Sequence, residues 1–327
     1  MTIRALFRAA AVQGVAAPYN TLHLKVFYPG QISKDGPTQN FGIVPADVSQ
    51  APFPIVIFFN GINCGAELYQ WLAVTLAERG FVVVTFNWVA ENSPGMVAIT
   101  PGVDLAMMAP ARYGTGPSAT ALPTIIRELE HLQTEGVLAG LLDLERMILG
   151  GHSAGGRVAI ENANPTFFPN VVAAFAYGGH AAATVQLGYE AGQILPLPDQ
   201  VPMLLMGGTR DGVIFNSSYR YGITWDQAQT PVVRTFQEAI AGGRNDNYLC
   251  IVEGANHFSI ADGVDSTTGF PFLDYPETQP AAVVRSLLAD IIGLFIDAHG
   301  RGKEGAIATL NQLPVTHQSL IVQWDRK

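Results

Sequence analysis

Apolar positions along this chain fall into two kinds of run. Continuous apolar runs are typical of buried strands in a parallel sheet, because such strands are covered on both faces. Apolar residues spaced three or four apart are typical of helices that pack one face on a core. Runs of the first kind lie at 55–59, 81–86, 146–150, 171–177, 202–206 and 248–252. Helical spacing is found at 68–79, 124–133, 232–240 and 283–298. After residue 300 the pattern predicts no particular secondary structure.

Strand and helix patterns alternate from residue 55 onward. This order predicts an α/β fold in which a mostly parallel central sheet carries helices on both faces. The earlier segment 22–28 alternates apolar and polar residues and ends at Pro29, which predicts an antiparallel strand at the edge of the sheet. We therefore expect a single domain over 1–327, with its core at about 22–299.

Three long irregular stretches interrupt the alternation, at about 87–123, 181–200 and 214–247. Connections of this length in a compact domain are usually lids or binding loops. A plain surface insertion is an equally good interpretation of the first stretch. We expect these segments to form lid-like insertions around the core.

The composition narrows the class of protein. The 327 residues are 48% hydrophobic and 14% charged, which suits one large core. A net charge of −9 without basic clusters argues against nucleic acid and anionic membranes as partners. No apolar run is long enough to span a bilayer, and the interrupted stretch near the start makes a poor export signal, so we expect a cytoplasmic protein. Two cysteines are too few for a disulfide framework, and these patterns leave the oligomeric state open.

The most informative motif is Gly-His-Ser-Ala-Gly at 151–155, between the apolar run 146–150 and the start of a helix. Gly-x-Ser-x-Gly at such a junction predicts a nucleophile elbow, a tight turn that lifts a serine hydroxyl clear of the sheet. Side chains at Gly151 or Gly155 would collide with neighbouring elements. A chance match is the alternative in a chain with 34 glycines, but the flanking elements favour the elbow and make Ser153 the candidate nucleophile.

A serine nucleophile needs a general base beside it, and a neutral imidazole is the base best suited to neutral pH. His257 follows the last predicted strand directly, and Asp211 follows the strand before it. Because open parallel sheets build their sites at the carboxyl ends of strands, we expect both side chains near Ser153. Asp211 would hold the imidazole in the required tautomer. The alternative for Asp211 is a plain turn residue in Arg-Asp-Gly.

The other histidines and carboxylates are weaker candidates for the base and the acid. His152 is expected to point away from Ser153 and to pack, and His180, at a strand end, is expected to line the pocket. The remaining histidines lie on the predicted edge strand (His23), on a helix (His131) and near the end of the chain (His299 and His317). The remaining aspartates lie before a strand (Asp199) or in an insertion (Asp226 and Asp246).

Acyl transfer also needs two preorganised N–H donors that face the developing oxyanion. One is expected from Ala154, which follows the serine, and the other from Ile62, because Gly61 permits close approach of the backbone. Such a site needs no metal and no organic cofactor. A set of acidic residues could suggest calcium, but it lacks the spacing of a ligand loop and is expected on the solvated surface. These residues are Asp262, Asp265, Asp274 and Glu277.

Taken together, these residues resemble the α/β-hydrolase superfamily over about 22–299. The nearest branch comprises bacterial cutinases and polyester hydrolases, plasma-type platelet-activating-factor acetylhydrolases and chlorophyllases. The resemblance implies that Ile62 supplies an oxyanion N–H and that Val213, two residues after the acid, touches substrate. The sequence departs from this branch at Asn60, at Ala154 and in its long insertions. The resemblance therefore predicts the class of reaction better than it predicts the substrate. The segments that carry the resemblance are 60–62, 77–84, 151–156 and 254–258.

We therefore expect a serine carboxylic-ester hydrolase that works through Ser153, His257, Asp211 and an acyl-enzyme. Its substrate is expected to be a small-molecule or lipid-like ester with a hydrophobic acyl or alcohol group. Two alternatives are lactone or thioester hydrolysis on the same triad, and a non-catalytic binding protein with a hydrolase fold. The residues expected to make the pocket apolar are Ile62, Met107, Met108, Val213, Ile214 and Phe258.

Overall fold

The computed structural model of the chain describes residues 2–31, 44–93 and 95–327, with the backbone alone at 92 and 93. Within these residues a ten-stranded sheet forms the centre of the molecule. The strands are β1 (Thr2–Ala11), β2 (Thr21–Gly30), β3 (Phe53–Phe59), β4 (Val82–Ser93), β5 (Met96–Ile99), β6 (Leu142–His152), β7 (Val171–Tyr177), β8 (Met203–Gly208), β9 (Tyr248–Val252) and β10 (Ile321–Arg326). The α-helices are α1 (Gln70–Glu78), α2 (Leu122–Thr134), α3 (Ala154–Glu161), α4 (Gly212–Asn216), α5 (Thr230–Arg234), α6 (Ala281–Gly300) and α7 (Ala306–Thr316).

The strand order explains where a site can form. Across the sheet the order is β1-β2-β4-β3-β6-β7-β8-β9-β10, and β5 pairs with the far end of β4. Neighbours from β4 to β9 are parallel, whereas β1, β2 and β10 pair in antiparallel fashion at the two sides. The carboxyl ends of β3, β6, β7, β8 and β9 therefore meet at one edge of the sheet, where parallel sheets bind their ligands.

Alternate residues of the central strands feed two separate cores. Ile55, Ile57 and Phe59 of β3 pack on the side that carries α2, α3 and α5. Val56 and Phe58 pack on the other side, against α1, α6 and α7. Burial on both faces is why these strands are continuous apolar runs. The mostly parallel sheet with helices on both faces is thus confirmed.

The expected edge position of the strand at 22–28 was wrong, and the sheet reaches beyond the segment expected to form the core. β2 is antiparallel, as predicted, but β1 pairs outside it, with Thr2 opposite Gly30, so β2 lies inside the sheet. At the other side β10 pairs with β9, after α7 has packed against α6. The sheet consequently extends from Thr2 to Arg326 rather than over about 22–299. β10 depends on a partner far along the chain, which local patterns do not reveal, whereas β1 pairs with the strand that directly follows it.

The insertions contain more regular structure than expected. The stretch 87–123 begins as a β-hairpin, because β4 continues to Ser93 and β5 returns beside it; residue 94 lies outside the described residues. In 214–247, the predicted helix 232–240 is α5 followed by a wider turn at Thr235–Ala239. The Thr235 hydroxyl donates to the Pro231 carbonyl at 2.7 Å, and a bond of this kind bends a helix.

In the described part of the chain, no helix combines the length and the apolar character that crossing a membrane requires. Cys64 and Cys250 are buried as free thiols.

Candidate active site

Ser153 occupies a strained turn between β6 and α3. Its backbone has φ 56° and ψ −124°, a conformation that costs free energy for any residue other than glycine. The amide of Ser153 donates to the carbonyl of Tyr177 at 2.9 Å, which ties the turn to the end of β7. Strain of this kind persists only where the surroundings enforce it, and it is concentrated at functional sites.

The glycines around Ser153 let two elements cross at close range. A Cβ atom on Gly151 would collide with the backbone of Gly155, and one on Gly155 would collide with the backbone oxygens of Phe59 and Asn60. The elbow motif therefore reflects packing between α3 and the ends of β3 and β6, as expected from the sequence.

His257 and Asp211 form a buried pair next to this turn. Asp211 follows β8, His257 follows β9, and the Asp211 Oδ2 lies 2.8 Å from the His257 Nδ1. The other carboxylate oxygen accepts from the Ile214 amide at 2.9 Å and caps α4. Because the Asp211 carboxylate accepts a hydrogen bond from Nδ1, that nitrogen carries a proton and Nε2 keeps its lone pair. Asp211 thus caps the N-terminus of α4 with one carboxylate oxygen and pairs with the His257 imidazole through the other.

The surroundings of His257 raise its pKa above the ordinary value. Burial is the largest effect and acts to lower the pKa. The charge of Asp211, its hydrogen bond and the charge of Asp274 act in the opposite direction and outweigh burial. The protonated imidazole, which a general base becomes during catalysis, is therefore stabilised here.

Asp274 is a carboxylate of this site that the sequence analysis missed. Its Oδ1 accepts from the Gly212 amide at 2.8 Å, and its Oδ2 accepts from the Phe258 amide at 3.3 Å. It thereby joins the segment after Asp211 to the segment after His257. Burial, the largest effect, raises the pKa of Asp274 to about 6. The expectation of a solvated surface was wrong for this residue, and nothing in its local sequence indicates the contact.

A hydrogen-bonded chain of buried groups runs behind the turn, and we call it the Tyr69 chain. The Gly61 amide donates to the Tyr69 hydroxyl at 3.3 Å, and that hydroxyl lies 2.8 Å from the His152 Nδ1. The His152 Nε2 lies 2.9 Å from the carbonyl of His257. Since a carbonyl only accepts, Nε2 donates and Nδ1 accepts from Tyr69. Burial, followed by the charge of His257, lowers the pKa of His152 far below its ordinary value, so its ring is neutral.

The Tyr69 chain changes the expected role of His152. The residue is fully buried, as a packing residue would be, but both ring nitrogens are engaged. It connects the loop at 60–65, the elbow and the backbone of His257. Tyr69 itself was not singled out by the sequence, because it lies in a run of helical spacing.

Ile62 and Ala154, whose backbone amides are the expected oxyanion donors, line the same cavity. Ile62 lies in the loop at 60–65, which the Asn60 side chain braces by donating to the carbonyls of Gly61 and Cys64 at 3.0 and 2.8 Å. Ala154 is the first residue of α3, where amides have no partner within the helix. Among the residues that the structure describes, neither amide donates a hydrogen bond.

A cavity of about 210 Å³ brings these groups together. Its lining includes all the site residues singled out from the sequence except Asp211, which lies buried behind His257: Ser153, His257, Ile62, Ala154, Val213 and His180. Within the described residues no hydrogen bond joins the Ser153 hydroxyl to the imidazole. Catalytic hydrogen bonds are often long in unliganded sites and shorten when substrate binds.

The apolar part of the lining differs from expectation at two positions. Ile62, Val213, Ile214 and Phe258 line the cavity. Met107 and Met108 instead line a separate cavity beside Tyr113. The two methionines of the first insertion therefore do not contribute to the cavity beside Ser153.

His180 is held as a neutral ring at the cavity wall. Its Nδ1 accepts from the Ala182 amide at 3.2 Å, and its Nε2 lies 3.2 Å from the Tyr221 hydroxyl. Burial, followed by the charge of Arg157, lowers the pKa of His180 to about 3. In the described chain, no group of three or more histidine, cysteine or acidic side chains is arranged to hold a metal ion.

Comparison with known proteins identifies the fold. No protein-family model and no curated protein matches the chain. Among solved structures, it is similar to a ferulic acid esterase from Streptomyces cinnamoneus, with 18% sequence identity and a TM-score of 0.55. The similarity covers 92% of this chain and 90% of that one. Identity this low shows the fold alone, and the chain has the α/β-hydrolase fold that its sequence predicts.

Proposed function

We propose that this protein is a serine carboxylic-ester hydrolase whose catalytic groups are Ser153, His257 and Asp211. The observation that carries the proposal is the buried His257–Asp211 pair, 2.8 Å apart, beside the same cavity as a serine in a strained turn. An imidazole whose Nδ1 proton is engaged presents Nε2 as a general base. A serine hydroxyl requires such a base to act as a nucleophile.

In the proposed reaction the Ser153 Oγ attacks the ester carbonyl carbon while its proton passes to Nε2 of His257. The carbonyl oxygen takes the negative charge and accepts from the amides of Ile62 and Ala154. The intermediate expels the alcohol, which takes the proton from Nε2 and leaves the acyl group on Ser153. Water then attacks the acyl carbon and gives its proton to His257, and this proton returns to Ser153 as the acid departs.

The similarity to a ferulic acid esterase supports an ester as the bond that is cleaved. We place the hydrophobic part of a small-molecule or lipid-like ester against Ile62, Val213 and Phe258, which line the cavity, with His180 beside it. The cutinase, platelet-activating-factor acetylhydrolase and chlorophyllase branch remains our finer assignment, on the motifs alone. These steps require no metal or organic cofactor.

The test is turnover of p-nitrophenyl esters of graded chain length by the wild type and by Ser153→Ala. We expect the variant to lose on the order of a thousandfold or more in kcat. Ser49→Ala, at an exposed serine far along the chain from the elbow, is the matched control and should retain full activity. A fluorophosphonate probe should label Ser153 in the wild type. Failure of the probe to label, together with no turnover of any ester, lactone or thioester, would point to a non-catalytic binding protein.

A further inference from the structure

The cavity beside Ser153 has an unusual charge balance. Its lining contains two arginines, Arg157 and Arg220, and, among the described residues, no aspartate or glutamate. The chain as a whole carries a net charge of −9. An arginine in this lining whose charge is not balanced by a nearby carboxylate would attract anions to the cavity of an otherwise acidic protein.

Arg157 does not supply free charge to the cavity. Its Nε lies 2.7 Å from Glu161 Oε1, and its Nη1 donates to the Ala182 carbonyl at 2.7 Å. The Glu161 side chain is 5% exposed, so the pair is little screened by water. The charge of Arg157 is therefore balanced within the protein.

Arg220 is different, because its guanidinium has no anionic partner among the residues that the structure describes. In the described chain it forms no ion pair and no side-chain hydrogen bond. The side chain is half-buried, and its guanidinium carbon lies 6.0 Å from the ring centroid of Tyr219 and 5.8 Å from that of Phe270. Stacking on aromatic faces holds a guanidinium in place while its N–H edges remain available.

The contact with Phe270 places Arg220 across the rim of the cavity. Arg220 belongs to the segment that follows Asp211 and α4. Phe270 belongs to a segment fixed to the loop at 60–65, since the Gly269 amide donates to the Asn63 carbonyl at 3.1 Å. The guanidinium thus lies between the segment after Asp211 and the segment attached to the Ile62 loop, both of which line the cavity.

We propose that this site selects esters that carry a carboxylate at a distance from the scissile bond, and that Arg220 pairs with that carboxylate. The inference rests on the proposed ester hydrolysis and names its substrate class. A planar guanidinium with free N–H edges matches a carboxylate in a two-bond pairing. Half-burial at the rim strengthens the pair relative to open water, while the apolar wall receives the carbon chain between the two ends.

The test compares p-nitrophenyl hydrogen adipate, which carries a terminal carboxylate, with p-nitrophenyl hexanoate, a neutral ester of the same chain length. We expect the wild type to prefer the adipate, with a preference that falls as salt is added. Arg220→Gln should lower kcat/KM for the adipate roughly tenfold to a hundredfold and leave the hexanoate within about twofold. Arg220→Lys should restore part of the preference. Arg112→Gln, at an exposed arginine outside the cavity, should change neither substrate.

The outcomes separate this inference from the function on which it rests. Equal losses on both esters in Arg220→Gln, or no loss on either, would overturn the pairing while ester hydrolysis stands. Absence of turnover of both esters by a wild type whose Ser153 is not labelled would instead overturn the ester hydrolase itself.

Discussion

Replacing Tyr69 by phenylalanine would remove one oxygen atom from the Tyr69 chain and leave the packing of the ring intact. The hydroxyl accepts from the Gly61 amide at 3.3 Å and lies 2.8 Å from the His152 Nδ1. Both partners are buried, so neither regains a hydrogen bond from bulk water. The substitution therefore leaves two polar groups unsatisfied.

The cost follows from these contacts. An unsatisfied buried polar group costs about 1–3 kcal/mol, and the long bond to Gly61 belongs at the low end, so we expect a loss of about 2–4 kcal/mol in the free energy of unfolding. An unfolding entropy of about 2 cal/mol/K per residue gives roughly 0.7 kcal/mol/K for a chain of 327 residues. The melting temperature should fall by about 3–6 °C.

The same substitution should also lower activity, because the Tyr69 chain positions groups on both sides of the nucleophile. Gly61 precedes Ile62, and His152 holds the carbonyl of His257. We expect kcat to fall roughly tenfold, which is less than the effect of deleting an oxyanion donor outright. KM should change little, because Tyr69 does not line the cavity.

Thermal denaturation and steady-state kinetics on a p-nitrophenyl ester measure the two effects. The control is Tyr28→Phe, which removes a buried bond of 2.7 Å to the Val44 carbonyl in another part of the sheet. It should lower the melting temperature and leave kcat unchanged. If Tyr69→Phe lowered only the melting temperature, as the control does, the positioning role of the Tyr69 chain would be refuted.

Two further predictions concern the base and the elbow. His257 must be neutral to accept a proton and its pKa is raised, so kcat/KM should be lost as pH falls through that raised pKa. Asp274→Asn removes one of the charges that raise the pKa of His257 and should move this acid limb of the pH–rate profile to lower pH. An unmoved limb would show that the charge of Asp274 does not affect the imidazole. Gly155→Ala should lower the free energy of unfolding by about 3 kcal/mol, because the new Cβ would meet the backbone oxygens of Phe59 and Asn60. A variant as stable as the wild type in denaturant titration would contradict the close crossing of α3 over the end of β3.

Patterns that depend on neighbours close in sequence were predicted well. The apolar runs 171–177 and 248–252 are β7 and β9 to the residue, because burial on both faces makes such a run apolar throughout. The carboxyl ends of β6 and β9 then fix where Ser153 and His257 lie, since a parallel sheet brings its strand ends to one edge. The candidate site was therefore accessible from the alternation of strands and helices together with one motif.

Features that depend on distant partners were not predicted. β10 pairs with β9, far back along the chain, and β1, although it pairs with the strand that follows it, has mostly half-buried residues, so neither shows a clear strand pattern on its own. Asp274 and Tyr69 acquire their roles from contacts with Gly212 and His152, far away in the sequence. A polar side chain in a loop carries no local sign of the amide that it will meet.

The two antiparallel outer strands have a practical consequence for handling the protein. Thr2 lies opposite Gly30, and Arg326 lies opposite Tyr248, the first residue of β9, so Thr2 and Arg326 are both at the edge of the sheet remote from the cavity. A bead, a dye or a fusion partner tethered to either end would extend away from the substrate entrance. Immobilisation beside either of these two residues should consequently preserve turnover per molecule.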